Sequence, residues 1–172
     1  MWYRKKHRIG LITAGITLLS SMTYAVQDEN AVKAAFIYNF TNFIKWQDLQ
    51  GGSKKVNVCT VGEETSVTGY LNELSKKVPI IVSIKGRDAR LSDCHVLYIG
   101  FSNRSDVDYL LGRSEGTQIL TVSSATDFAR RGGMIGFTND AGQVKLEANV
   151  NTIHKAGLAI DSDLLELVHI VK

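Results

Sequence analysis

The sequence has 172 residues, with 20 Lys and Arg against 17 Asp and Glu and a formal net charge of +3. Four of the basic residues lie in the first eight positions, so residues 26–172 carry 16 basic and 17 acidic side chains. This near-neutral balance, without a long basic run, argues against nucleic-acid binding, which needs a basic stripe or patch.

The N-terminus has the pattern of a secretory signal peptide. A basic start at residues 4–8 precedes an uncharged apolar run at residues 9–19, and small residues surround a cut after Ala25. The run of about 11 residues is too short to cross a bilayer, for which a helix needs about 20 residues. We predict a cleaved signal peptide at residues 1–25, a single domain at residues 26–172 and no stable membrane insertion. An uncleaved anchor is the alternative.

The first predicted element of the mature chain is a helix over residues 30–47, which hold 5 of the 11 aromatic residues outside the leader. At helical spacing, one apolar stripe consists of Val32, Phe36, Phe40 and Phe43. Tyr38, Asn42 and Trp46 are rotated away from this stripe, and Trp and Tyr are frequent interface anchors. We predict that this outer face binds another protein; a core helix laid across a sheet is the alternative.

Strands and helices alternate through the rest of the chain. Strands are predicted at 56–61, 80–84, 95–101 and 119–122, and helices at 63–77 and 103–115. A short helix around 125–129, a hairpin of strands 134–137 and 144–150, and a last helix capped by Asp161 and continuing to Val171 follow. This order predicts a single-domain α/β fold, with a mostly parallel twisted sheet flanked by helices on both faces and a C-terminal antiparallel hairpin at the edge.

The second hairpin strand alternates between apolar and polar residues. Its apolar side chains point one way, and Glu147 points the other way with its polar neighbours. Such alternation is typical of an antiparallel strand with one solvated face. We predict that Glu147 adds to the partner-binding surface.

Two cysteines, Cys59 and Cys94, remain in the mature chain, and pairing is the default in an exported protein. If their two strands paired in parallel from the first residues, Cys59 would lie about four residues beyond the level of Cys94, roughly 13 Å. A bridge would then need a staggered register. A metal site is the weaker alternative, because the histidines show no ligand spacing with the thiols.

Catalytic signatures are absent from the sequence. It contains no Gly-x-Ser-x-Gly elbow, no phosphate-binding loop ending in Gly-Lys, no His-Glu-x-x-His and no Cys-x-x-Cys. Residues 130–133, Arg-Arg-Gly-Gly, are interpreted as a helix end whose cations complement the dipole, with an anion site as the alternative. We therefore predict a protein without enzymatic activity, cofactor or metal.

Three blocks of residues resemble the YfiR-like periplasmic proteins, which are also catalogued as a domain of unknown function. The blocks are KAAFIYNF at 33–40 with Phe43 and Trp46, DCHVLYI at 93–99, and GMIGF at 133–137 leading into VKLEANV at 144–150. The resemblance covers essentially the mature chain. The chain lacks the second cysteine pair that some relatives carry near the hairpin.

The resemblance implies a non-catalytic regulator in the periplasm of a Gram-negative bacterium. It implies binding to the periplasmic sensor domain of an inner-membrane diguanylate cyclase, which is held inactive, so that cyclic-di-GMP signalling and biofilm formation fall. It also implies sequestration by an outer-membrane lipoprotein, a homodimer, a Cys59–Cys94 bridge and a contact at Glu147. A small-ligand-binding module, with a pocket lined by the aromatic helix, is the alternative function.

Overall fold

The computed structural model describes residues 28–46 and 55–172, so the predicted signal peptide lies outside the described residues. The helices are α1 (Glu29–Phe43), α2 (Thr65–Ser75), α3 (Arg104–Ser114), α4 (Val150–Lys155) and α5 (Ser162–Leu165). The strands are β1 (Ile44–Lys45), β2 (Val56–Gly62), β3 (Ile80–Ile84), β4 (Val96–Gly100), β5 (Leu120–Ser123), β6 (Ile135–Asp140), β7 (Gln143–Ala148), β8 (Ala159–Ile160) and β9 (His169–Ile170).

The main sheet has seven strands in the order β3-β2-β4-β5-β6-β7-β9. The pairs from β3 to β6 are parallel, β6 and β7 form an antiparallel hairpin, and β9 pairs in parallel with β7. The predicted α/β class and mostly parallel sheet are confirmed. The predicted hairpin does not form the edge of the sheet, because β9, which was not predicted, pairs with β7 on its outer side.

Alternating side chains along the strands divide the core into two layers. One face of the sheet, here called the α1 face, is covered by α1 and α2, whose Ile37 and Leu71 are fully buried with Val96 of β4. The other, the α3 face, carries Leu97 of the same strand under Leu110 of α3. A parallel sheet buried on both sides reads as a continuous apolar run, which is why residues 95–101 were recognisable as a strand.

The opening helix differs from its prediction at its end and in its buried stripe. It ends at Phe43, and the next two residues pair with β8 in a separate antiparallel ladder. Its buried side chains are Lys33, Ala34, Ile37 and Phe40. Phe40 alone of the predicted stripe is buried, since a helix with apolar residues around most of its circumference does not specify one inward face.

The residues predicted as a helix around 125–129 form turns, and the last predicted helix is shorter in the structure. Residues 126–132 form successive turns in which Asp127 has φ +56°. The last helix stops at Leu165, and the chain then extends into β9, which suits the β-branched residues Val168, Ile170 and Val171. Leu167, which lies within the predicted last helix, is in the turn after α5 and is 61% exposed.

The predicted disulfide between Cys59 and Cys94 is confirmed, with their Cα atoms 5.7 Å apart. The two strands are not staggered so as to bring the cysteines level, because Cys59 lies opposite Leu97, three residues beyond Cys94. Instead, Cys94 precedes the strand in a turn, where its N–H donates to the C=O of Leu91. This turn lies over the α3 face, where both cysteines join the buried cluster.

Substitution of Gly62, at the end of β2, should sharply lower the stability of the fold. Its φ is +120°, and a Cβ atom would lie 2.5 Å from the backbone carbon of Gly100. We expect Gly62→Ala to lower the free energy of unfolding by about 2 kcal/mol or more. Gly69→Ala is the matched control, because Gly69 lies inside α2 with open space around it and should gain about 0.5–1 kcal/mol. Urea unfolding checks both, and equal midpoints would contradict the prediction.

Candidate partner-binding surface

The first turn of α1 is fastened to its neighbours by side-chain hydrogen bonds. Asp28 caps the helix by accepting from the Asn30 N–H at 2.9 Å, and it also accepts from the Tyr70 hydroxyl at 2.7 Å. The bond from Tyr70 is the main cause that lowers the pKa of Asp28. Glu29 accepts from the Asn139 amide at 3.0 Å, which ties the helix to the hairpin turn. The position of α1 over the sheet is thus fixed from two sides.

A partly buried network of charged and polar side chains lies beside the same helix. Lys33 is only 7% exposed, and its Nζ lies 3.0 Å from Glu29 and 3.2 Å from Glu64. Glu64 in turn accepts a hydrogen bond from the hydroxyl of Tyr98, which lies on β4 and is 1% exposed. The ammonium of Lys33 lowers the pKa of Glu29, and burial followed by the bond to Glu64 raises the pKa of Tyr98. This network was not predicted from the sequence, although Lys33, a charged residue inside an apolar helical run, was a signal for it.

The raised pKa of Tyr98 predicts a loss of stability at alkaline pH. The pKa of Tyr98 in the folded protein lies above the unfolded value of 10.0. The stability that Tyr98 contributes is therefore fully present below pH 10 and is lost as the pH rises above it. We expect the stability advantage over Tyr98→Phe to shrink by about 1.4 kcal/mol from pH 9 to pH 11. Urea unfolding at both pH values measures it. A constant difference between the two proteins would contradict the prediction.

An aromatic cluster holds the middle of α1 against the hairpin. The rings of Phe36 and Phe40 lie 6.4 and 6.2 Å from that of Phe137 on β6. Tyr38 is half-buried beside this core, and Asn42 is exposed. These two predicted partner-binding residues therefore have accessible surface on the outer side of the helix.

Trp46 does not lie on that outer side. The helix ends before it, and Trp46 is 2% exposed, with its ring edge against His95 at a centroid distance of 6.1 Å. Its predicted place on an exposed helical face is wrong, because the chain leaves the helix at Ile44 and turns towards the sheet. Among the described residues, no group accepts a hydrogen bond from its buried Nε1.

Glu147 lies on the opposite side of the sheet from α1. Its neighbour Leu146 packs in the core of the α1 face, so Glu147 points to the α3 face, where it pairs with Arg130 at 3.2 Å. Its side chain is 16% exposed. The structure therefore does not bring Glu147 together with Tyr38 and Asn42 on one surface.

The C-terminal segment carries exposed apolar side chains. Leu167 and Ile170 are 61% and 53% exposed, and we call them the C-terminal apolar patch. Ile170 pairs with Ala148 in the register that puts it on the α1 face. The segment is joined to the end of α1 through the Asp161 N–H, which donates to the C=O of Phe43 at 2.9 Å. This bond joins the start of the C-terminal segment to the end of α1, the helix that carries Tyr38 and Asn42.

Four clefts of about 260–480 Å³ lie along the described residues, and none of these four is lined by α1. The smallest lies beyond the carboxyl ends of β2, β4 and β5, and Glu64 forms part of its wall. A pocket lined by the aromatic helix, as the alternative function requires, is not among them.

The described residues bring three potential metal ligands together, namely Cys59, Asp93 and Cys94. The two sulfur atoms are bonded to each other, so they do not offer the thiolates that a metal would need. None of the described helices has both the length and the apolar character needed to cross a bilayer.

Comparisons with known proteins bear on family and fold. The model of a family described as YfiR/HmsC-like (DUF4154) matches residues 30–169. A conserved domain protein from Vibrio cholerae O1 biovar eltor has a similar structure, with a TM-score of 0.61 and 13% identity over 84% of this chain. An ABC domain in complex with L-Trp from Streptococcus pneumonia has a TM-score of 0.54 and 10% identity over 68%. The chain spans 60% and 55% of those two chains, and no curated protein matches its sequence.

Proposed function

We propose a regulatory function because the chain belongs to the YfiR/HmsC-like family, whose members are known as periplasmic regulators of diguanylate cyclases. The chain binds the periplasmic sensor domain of an inner-membrane diguanylate cyclase and holds the enzyme inactive. The effect is lower cyclic-di-GMP and less biofilm. An outer-membrane lipoprotein that sequesters the protein releases the cyclase.

The observation that carries the proposal is the pair of exposed aliphatic side chains at the C-terminal edge of the sheet. Ile37 and Leu164 in the core of the α1 face are at most 1% exposed, whereas Leu167, in the turn after α5, is 61% exposed. An exposed apolar patch with a polar rim is typical of a protein-binding site. Asn42 and Glu166 are exposed polar residues on the adjoining α1 and α5 segments.

The proposed contact places Tyr38 as the aromatic anchor beside the C-terminal apolar patch. Its ring is already half-packed on the core of the α1 face, so little conformational entropy remains to be lost on binding. Trp46 does not lie on this surface. It is buried where the chain leaves α1 and supports the surface only by packing at the end of that helix. Glu147 lies on the α3 face, so in this proposal it contacts either a second area of the same partner or the lipoprotein.

The test is direct binding between purified mature protein and the purified periplasmic domain of the candidate cyclase. Isothermal titration should give a one-site association with a negative heat-capacity change, because apolar surface is buried. No heat and no co-elution at protein concentrations of about 50 µM would reject a regulatory complex of the usual strength.

A further inference from the structure

The largest of the four clefts lies between α3 and α4. Its volume of about 480 Å³ is within the range of small-molecule binding sites. The walls are the ends of α3 and α4 and the turn that contains Arg131 and Gly132. None of the lining residues belongs to α1 or to the C-terminal apolar patch, so the proposed function does not use this cleft.

The guanidinium of Arg131 keeps unused hydrogen-bonding capacity beside the cleft. The interpretation of residues 130–133 as a helix end does not apply, because residues 126–132 form turns. Arg131 instead pairs with Asp108 of α3 and donates to the C=O of Arg104 at 3.5 Å, in both cases through Nη2. Its Nε is buried and has no hydrogen-bond acceptor among the described residues. Because a buried donor without an acceptor is costly, this group indicates a missing partner.

A second cation, Lys155, lines the cleft from α4 and is exposed. Within the described residues, no carboxylate forms an ion pair with it. Its position in the last turn of α4 complements the helix dipole, but all three N–H donors of the ammonium remain available. Arg104, Arg131 and Lys155 stand against two carboxylates here, those of Asp108 and Glu115. One further negative charge would balance this region.

Glycines keep the cleft open. At Gly112, Gly116 and Gly132, all of which line it, an added Cβ atom would meet no other atom within 4 Å. Gly112 lies inside α3, where glycine is less favourable than alanine. No neighbouring group requires a residue without a side chain at this position. The packing of the fold therefore does not explain Gly112, whereas a ligand that fills the space beside it does.

We propose that this cleft binds a small organic carboxylate with an aliphatic body. The carboxylate accepts hydrogen bonds from the guanidinium of Arg131 and the ammonium of Lys155, and charge-assisted bonds of this kind are strong. The aliphatic body lies beside Gly112 and covers Leu111 and Met134, which line the same cleft. A bare anion would leave this apolar surface uncovered, and a neutral molecule would leave Lys155 without a counter-charge.

NMR titration of isotopically labelled mature protein with hexanoate, at constant ionic strength, tests the proposal. Shifts should centre on α3, α4 and residues 131–134, with a Kd of about 1 mM, as is usual for so small a ligand. Hexanamide is the neutral isostere, and inorganic phosphate is an anion without the aliphatic body. Each should bind at least about tenfold more weakly than hexanoate. Equal binding of hexanamide or of phosphate would overturn the proposed ligand class.

Gly112→Leu fills the cleft from α3, so it should raise the Kd for hexanoate at least about tenfold. The variant should be no less stable than the wild type in urea, because leucine favours a helix more than glycine does. Gly69→Leu is the matched control: Gly69 is exposed inside α2 with open space around it, and this variant should bind hexanoate like the wild type.

Lys155→Gln changes an exposed residue and serves if Gly112→Leu does not fold. It should raise the Kd for hexanoate about tenfold, through the lost charge. An absence of shifts at about 20 mM hexanoate overturns the proposal. Binding that is unchanged in folded Gly112→Leu, or in Lys155→Gln, overturns it as well.

Discussion

Leu167→Asp should weaken binding to the periplasmic domain of the cyclase by about 100-fold or more, without destabilising the free protein. Leu167 is 61% exposed in the free chain, so the substitution removes little packing from the fold. In the complex, however, a carboxylate would replace an apolar anchor and lose its water without a partner. Such changes at the centre of an interface cost several kcal/mol.

The binding constant of Leu167→Asp is measured by titration calorimetry, and its stability by urea unfolding. Ile84→Asp is the matched control: it introduces the same charge at a similarly exposed residue on the other edge and should bind the cyclase domain normally. Unchanged affinity in Leu167→Asp would place the partner surface elsewhere. A loss of affinity that follows only a loss of folded protein would make Leu167 a structural residue.

Removing the disulfide should lower the free energy of unfolding by about 3–4 kcal/mol, on the loop-entropy estimate for cysteines 35 positions apart. Cys59 is fully buried and Cys94 is 6% exposed, so both also contribute packing on the α3 face. The double variant Cys59→Ala with Cys94→Ala removes the bridge without leaving a free thiol. Its unfolding in urea is compared with that of the oxidised wild type.

Reduced wild-type protein is the control that separates the bridge from the packing of the sulfur atoms. It should lose most of the stability that the double variant loses. A difference of less than about 1 kcal/mol between oxidised and reduced protein would mean that the bridge restrains the unfolded chain little. Two thiols titrated in the unreduced, denatured protein would contradict the bridge itself.

The main sheet was predictable because each strand carries a local signal. The run at residues 95–101 is apolar throughout, as a strand covered on both faces requires, and the alternation around Leu146 marks a half-exposed strand. The order of strands and helices then limits the topology to a few choices. The pairing of Cys59 with Cys94 was predictable from export and cysteine number, although the turn that makes it geometrically feasible was not.

The candidate site was less predictable because tertiary contacts decide it. Nothing local to Trp46 shows that the helix ends three residues earlier; the pairing of Ile44 with Ile160 does that from more than a hundred residues away. Leu167 falls at helical spacing from Leu164, yet it lies in the turn after α5, from which the chain runs into β9 to pair with β7. Lys33 is buried because Glu29 and Glu64 meet it in the fold.

Repression is tested by measuring cyclic-di-GMP synthesis by the full-length cyclase in membranes as mature protein is added. We expect wild-type protein to reduce the rate of synthesis in a saturable manner, and Leu167→Asp to need about 100-fold more protein for the same effect. Ile84→Asp should inhibit like the wild type. Undiminished synthesis at saturating wild-type protein would contradict the claim that this chain represses the cyclase.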